Sequence, residues 1–455
     1  MIFKKNISSL HVAHNKNTAK CKPVKIDTPK EVVLPLNVTG SPSNTSEACV
    51  CVGDYVRVGQ LVAKESGRFS DLIHAPVSGT VTAIGQVNFS SDNTVEAITI
   101  ESDGKMEIYP DLKKPKFTNA QEFLQAVRDS GVVGLGGAAF PTWAKLNEAT
   151  NPNYKVDTVL VNAAECEPYI TSDHQMMLEH PDLIADGIEY LKNGMSEYIG
   201  NAKFMICIED NKPDAIAVLE ETFKDKPYVE IKKLTAIYPQ GAKQVMLYNA
   251  TGRVSVAGKR FPSFGAIIIN VSSLAKMAEY LNTGMPLVDR IVTVDGTAVA
   301  TPKNLIAPVG TKISELMKYV ELKKNAQIGK AVIGGPMNGT AVYSLETPIT
   351  KVGNSVLLFD KKDSLLPKQS ACIHCGRCNE KCPVSINVVD VESAFKHKDE
   401  EEREKRLIAT GVRQCVDCGS CTYICPAHRP LLEINKEANA WLKDYAWKKK
   451  EGENK

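Results

Sequence analysis

Eight cysteines near the end of this chain stand in two runs with one spelling. Cys372, Cys375, Cys378 and Cys382 precede Pro383, and Cys415, Cys418, Cys421 and Cys425 precede Pro426. Both read C-x2-C-x2-C-x3-C-P, a spacing that holds [4Fe–4S] clusters. Three thiolates two residues apart wrap one corner of a cubane, because the intervening turn points successive sulfurs inward. The fourth is offset, and in a two-cluster arrangement it ligates the other cluster. The spacing therefore assigns Cys372, Cys375, Cys378 and Cys425 to one cluster. Cys415, Cys418, Cys421 and Cys382 take the other. Gly376 and Gly419 leave backbone room where the chain folds over each cluster, and the prolines end each run. Zinc motifs present C-x2-C pairs rather than four-cysteine runs closing on Cys-Pro, and the duplication makes coincidence negligible.

The segment between the runs, Asn387 to Arg413, is charged and helix-prone. It predicts helices separating the two ligand sets, hence an α-helical ferredoxin rather than a compact small one. After Pro430, the positions Leu431, Ile434, Ala438, Leu442 and Tyr445 recur at helical spacing and are expected to pack on their own domain. Lys448–Lys450 reads as a solvated tail.

The other five of the thirteen cysteines (Cys21, Cys49, Cys51, Cys166 and Cys207) are scattered. That is not a secreted disulfide framework; it points to metal in a reducing compartment. A chain of 455 residues exceeds one ordinary core and implies three or four domains. A net charge of +2 leaves no nucleic-acid footprint. Met1 to Asn6 is polar and basic, without the apolar core of a secretory signal. No apolar run approaches the ~20 residues of a membrane helix, so a soluble or peripherally held cytoplasmic protein is expected.

The middle of the chain carries a second kind of signal. Residues 131–146 read GVVGLGGAAFPTWAKL. Gly134, Gly136 and Gly137 sit where a loop should lead into a helix, so backbone N–H groups can approach a phosphate or a flat ring. Lys145 is placed to neutralise phosphate. The apolar run Thr158 to Val161 reads as a buried strand that ends in Asn162, Glu165, Cys166 and Glu167. Ligands of open α/β sheets gather at such strand ends, where two acids and an amide suit a ribityl chain or ribose. Ala266 to Ile269 leads likewise into Asn270, and Tyr238-Pro239-Gln240-Gly241 is a turn with an aromatic before it. Cys166 would face this pocket; nearby acids should keep it a thiol, and a buried spacer is the expected role.

In order, GLGGAAFPTWAKL, VNAAECEPYITSD, YPQG…TGR, INV and GGPMNG, followed by the two cysteine runs, resemble the C subunit of the Rnf electron-transport complex nearly end to end. That family is related to the flavoprotein subunit of respiratory complex I, which carries FMN and oxidises NADH. The resemblance implies that Gly134, Gly136, Gly137, Lys145, Asn162, Glu165, Glu167, Tyr238, Gly241 and Asn270 line an FMN and NADH pocket, with Phe140 near the nicotinamide. Glu167 and Lys243 are the candidate catalytic groups. Two positions depart from the family. Lys243 stands where an acid is usual, reversing local charge, so it either grips a phosphate or weakens NADH binding. Ser272-Ser273 replaces the usual Gly-Thr, which should narrow the space beside the cofactor.

The implied fold class is multidomain α/β plus β modules. Residues 1–115 form a barrel-sandwich hybrid of biotinyl/lipoyl type, and 116–285 a Rossmann-like FMN/NADH-binding domain. Residues 286–365 form an SLBB-like β-grasp domain with a short helix over Ile313 to Tyr319, and 366–455 the α-helical two-cluster ferredoxin domain. A carrier domain needs a modifiable lysine at its hairpin tip; Arg68-Phe69-Ser70-Asp71 has none, which favours a structural or docking role. Gly334-Gly335-Pro336 reads as a plain turn. The expected activity is electron transfer from NADH through FMN and two [4Fe–4S] clusters to a partner, as the C subunit of an Rnf complex. The alternatives are a soluble relative feeding proline reductase or a cobalamin reductase, or a non-catalytic two-cluster relay. Partners would be other electron-transport subunits, a soluble reductase or a ferredoxin.

Overall fold

Short β-forming runs separated by glycine turns open the chain. In the computed structural model, which describes residues 9–37, 45–67, 70–90, 93–137 and 139–453, they form two antiparallel sheets. The larger has the order Glu31–Pro35, Asn93–Ser102, Gly79–Ser90, Tyr55–Val56. The smaller orders Ser46–Ala48, Leu61–Glu65 and Ile73–His74. Alternate residues such as Val32, Leu34, Val62, Val81, Ile98 and Ile100 fill the core between them. Of the carrier-tip residues, Arg68 and Phe69 lie outside the described residues. Asp71 is spent on the Lys351 ammonium at 2.6 Å, an anchoring contact and not a presenting tip.

The next layer is a parallel sheet. Thr158–Ala163, Lys203–Glu209 and Val229–Leu234 follow one another outward, and Ala266–Asn270 then pairs on the other side of the first. The spatial order is thus third, second, first, fourth. The chain reverses direction between Thr158–Ala163 and Ala266–Asn270, which is the topological switch point where open α/β sheets bind ligands. Near-continuous apolar strands need cover on both faces, and Pro181–Gly194 packs against Val271–Thr283 tightly enough that a Cβ at Gly187 would meet Leu274 at 2.7 Å.

A mixed six-stranded sheet follows, built from Asp289–Asp295, Lys303–Pro308, Ile328–Ile333, Thr340–Val342 and Ser355–Asp360, with Val24–Lys25 on its edge. The expected short helix is present as Ile313–Leu316, continued by the tighter turn Met317–Tyr319. The edge strand Val24–Lys25 pairs with Leu305 and Ile306 rather than with the barrel strands.

The chain divides into two units. His14–Leu234 and Arg260–Leu365 hold the sheets just described. Met1–Ala13, Thr235–Lys259 and Leu366–Lys455 form the other. Residues 235–259 thus pack in space with the cysteine-rich region. Antiparallel bonding of Leu10 to Tyr238, 2.9 Å in each direction, is part of the reason.

In the cysteine-rich unit the segment between the runs forms Val388–Phe395 and Glu400–Thr410, the latter capped by Asp399, which accepts from the Glu402 N–H. The long helix Leu431–Glu453 buries Leu431, Ala438 and Leu442 against the same core, and Trp441 stacks on Tyr445 at 4.8 Å. The apolar stripe thus packs at home, as its spacing predicts. Among the described residues no helix is long and apolar enough to cross a membrane.

Candidate cluster and flavin sites

The two cysteine runs fold into loops with one backbone course. Left-handed residues recur at matching positions: His374 and Asp417, Gly376 and Gly419, Ser385 and His428, with φ between +52° and +74°. Non-glycine residues rarely adopt that conformation. Its repetition gives the two cysteine runs one loop geometry. Cys372, Cys375, Cys378 and Cys425 line one cavity, and Cys382, Cys415, Cys418 and Cys421 line a second. The fourth cysteine of each run lines the cavity of the other run's first three.

The donor chemistry fits iron–sulfur clusters. The His374 N–H points at Cys372 Sγ at 3.4 Å and the Ile386 N–H at Cys382 Sγ at 3.3 Å. The buried Asn435 amide lies 3.9 Å from both Cys415 and Cys421 Sγ. Such donors stabilise thiolate charge and raise cluster potentials. Burial pushes the Cys382, Cys415 and Cys418 thiols up, and Cys421 up to about 12. Metal binding must therefore displace those protons. The two sets differ in access. Cys372 and Cys375 are exposed, whereas Cys382, Cys418 and Cys421 are buried.

Tyr238 belongs to this unit. Its ring is 1% exposed and its hydroxyl donates to the Cys418 carbonyl at 2.7 Å. The resemblance places Tyr238 on the flavin pocket; the structure spends its hydroxyl on a cluster loop. Gly241 lies in the turn that follows, and Lys243 is the first residue of the helix Lys243–Thr251.

In the larger unit a cavity of about 260 Å³ opens beside the glycine loop, lined by Gly136, Gly137, Ala139 and Glu167. Its far side is Gly334, Gly335, Asn338, Thr340, Thr350 and Asn354. Gly137 takes φ +108°, and a Cβ there would stand in open space. At Gly136 a Cβ would stand 3.2 Å from the Asn270 amide. Bare backbone along the wall fits a flat ring. Among the described lining residues Glu167 alone carries charge, which suits a ring better than a phosphate. Gly334-Gly335 is thus a cavity wall and not the plain turn its sequence suggests.

Beneath the loop lies a support that sequence reading missed. Asp173, buried, accepts from the Asn270 amide at 2.7 Å and from the Ser272 hydroxyl at 2.5 Å. Burial raises its carboxyl, and those two donors oppose the rise. Ser273 Oγ accepts from the Leu135 N–H and donates to the Val133 carbonyl, both at 2.9 Å. Arg290, buried, donates to the Leu135 carbonyl at 3.3 Å. Burial brings its guanidinium down to about 10. Ser273 therefore braces the glycine loop, Ser272 bonds the Asp173 carboxylate, and neither lines the cavity, a correction to the expected narrowing. Asn270 also caps Val271–Thr283 by accepting from the Ser273 N–H at 3.0 Å.

Lys16 holds the acidic loop. Its ammonium donates to the carbonyls of Glu165, Glu167 and Ile170 at 2.6 to 2.8 Å. The Glu165 carboxylate accepts from the Asp173 and His174 N–H groups at 2.6 and 3.2 Å, and so caps the helix Ser172–Glu179. Burial pushes that carboxyl up to about 7 against the pull of Lys16. Glu165 is consequently committed to the helix and is not a cavity residue. Cys166 is buried and does not line the cavity. Asn162 and Asn270 pair across neighbouring strands at the switch point. The Gly134 N–H bonds the Phe140 carbonyl at 2.9 Å and closes the loop, while Lys145 sits on the following short helix Thr142–Asn147.

Residues 127–279 match the family described as the Nuo51 FMN-binding domain. Residues 5–105 match the RnfC barrel sandwich hybrid domain, and 368–428 the 4Fe-4S dicluster domain. The C subunit of the proton-translocating ferredoxin:NAD(+) oxidoreductase complex of Clostridium ljungdahlii is 34% identical, covering 83% of this chain and 81% of that protein. Its Na(+)-translocating counterpart in Acetobacterium woodii is 34% identical over 80% of this chain and 81% of its own length. The C subunit of the ion-translocating oxidoreductase complex of Rhodobacter capsulatus is 32% identical, over 86% and 75%. With its flavin and dicluster domains in that order, the chain belongs to the Rnf-type C-subunit family of electron-transfer iron–sulfur flavoproteins.

Proposed function

We propose that this chain is the nucleotide-facing subunit of a membrane-bound Rnf-type complex, held peripherally, and that it passes electrons between NADH and its partner subunits. The relatives named for ferredoxin:NAD(+) oxidoreduction support the donor pair. A bound flavin exchanges electrons in pairs with a nicotinamide and singly with a cluster, and the clusters relay single electrons onward. The chain's part is to hold these groups dry and in order. Glu167 and the Gly136–Gly137 backbone flank the ring cavity, and Asn162 and Asn270 stand at the switch point. The β-rich segment of residues 286–365 fits the SLBB-like β-grasp reading.

The observation that carries the proposal is the unequal exposure of the two cysteine sets. One is buried around Cys418 and braced by Tyr238. The other shows Cys372 and Cys375 to solvent. An enclosed centre followed by an exposed one describes a relay with an outlet. Cell fractionation tests the assembly: the chain should remain on washed membranes and leave with the complex on detergent extraction. Recovery of all of it in the soluble fraction, beside a reductase, would favour the free-carrier alternative.

A further inference from the structure

We propose that the loop joining Ile328–Ile333 to Thr340–Val342 is the second wall of the flavin site, and that Glu167 is the positioning residue that sets its distance from Gly136–Gly137. The inference rests on the reading that the ring cavity holds the flavin. The loop lies outside the segment that matches the flavin-binding family, which ends at residue 279.

Three observations specify the contact. Glu167 Oε2 accepts from the Met337 N–H at 3.1 Å. A Cβ at Gly335 would stand 2.1 Å from the same oxygen, so an alanine there would push this carboxylate aside. The loop is also locked, since the Gly339 N–H bonds the Gly335 carbonyl at 2.8 Å within it and the Gly334 N–H bonds the Ser355 carbonyl of the neighbouring strand at 2.9 Å. A rigid loop latched by one side chain from the opposite wall fixes the width of the slot between them. Lys16 in turn holds the Glu167 carbonyl at 2.8 Å, so the latch is anchored at its base.

The chemistry of the wall says which part of the ligand it meets. Asn338, Thr340, Thr350 and Asn354 offer neutral donors and acceptors and no cation. That pattern matches the alternating carbonyl and N–H edge of a flavin ring, whereas a phosphate would call for positive charge or a helix N-terminus.

Hydrogen–deuterium exchange on the full chain, clusters in place and flavin removed, tests this with added FMN. FMN should slow exchange at residues 334–339 together with 134–137. FMN fluorescence quenching gives the affinity of variants. Glu167→Ala should weaken FMN about tenfold, the scale of one charge-assisted hydrogen bond. Glu167→Gln, whose amide oxygen still accepts from the Met337 N–H, should stay within about threefold. Gly335→Ala should weaken FMN like Glu167→Ala, and the double variant should be no worse than Glu167→Ala alone. Protection at 134–137 without protection at 334–339 would overturn the second wall and leave the flavin site standing. Glu167→Gln as damaging as Glu167→Ala, with Gly335→Ala harmless, would overturn the positioning role. Protection at neither segment would remove the flavin reading and this inference with it.

Discussion

The buried Tyr238 hydroxyl donates a 2.7 Å hydrogen bond to the Cys418 carbonyl, tying a turn more than a hundred residues upstream to a cluster loop. Tyr238→Phe keeps the ring and strands that carbonyl, a loss of about 1–3 kcal/mol. Iron should then leave the Cys415–Cys418–Cys421–Cys382 centre several-fold faster in the presence of a chelator, while the Cys372 centre is unchanged. Equal rates at both centres would show that the hydroxyl does not brace the loop.

The crossed ligand sets make a second prediction. Cys382→Ala should abolish the buried centre and spare the exposed one; Cys425→Ala should do the reverse. Iron content halves in both, so chelator sensitivity decides which centre survives. If Cys382→Ala leaves the slowly chelated centre intact, the ligands do not cross.

Lys243 opens the helix Lys243–Thr251, where a positive side chain opposes the helix dipole. Lys243→Glu should therefore stabilise that helix by about 0.5 kcal/mol. If Lys243 serves a nucleotide phosphate, the same change should raise KM for NADH several-fold. Greater stability with unchanged KM would remove Lys243 from the nucleotide site.

His74 supplies a pH dependence. Burial, and then the Lys351 charge, push its imidazole down to about 3. The folded state holds it neutral while the unfolded chain protonates it near pH 6.5. Its contribution to stability is thus full above pH 6.5 and is lost as pH falls toward 3, by up to about 1.4 kcal/mol per pH unit. The fall in Tm between pH 6.5 and 5 should be smaller in His74→Gln. Parallel curves for the two proteins would contradict the assignment.

Much of the cluster site was legible because ligand spacing is local: four thiolates per run point to the cofactor. The glycine loop and the strand-end amides were legible for the same reason, as each motif lies within a few residues. What stayed hidden depends on long-range contacts. Nothing near Lys16 signals that its ammonium organises Glu165 to Ile170, about 150 residues away. Ser272 and Ser273 were visible as a departure, but not the inward turn of their hydroxyls. Tyr238 shared a motif with pocket residues, and only the tertiary fold shows its hydroxyl on a cysteine carbonyl. Gly335 looks like any turn glycine until Glu167 is placed against it.

Anaerobic titration of the cluster-loaded, flavin-loaded chain with NADH tests the central claim most directly, followed by flavin absorbance and by the paramagnetic signals of reduced clusters. The account predicts bleaching of the flavin together with the appearance of cluster signals, both lost when the flavin is removed. Clusters that dithionite reduces but NADH does not, beside a flavin that stays oxidised, would contradict it.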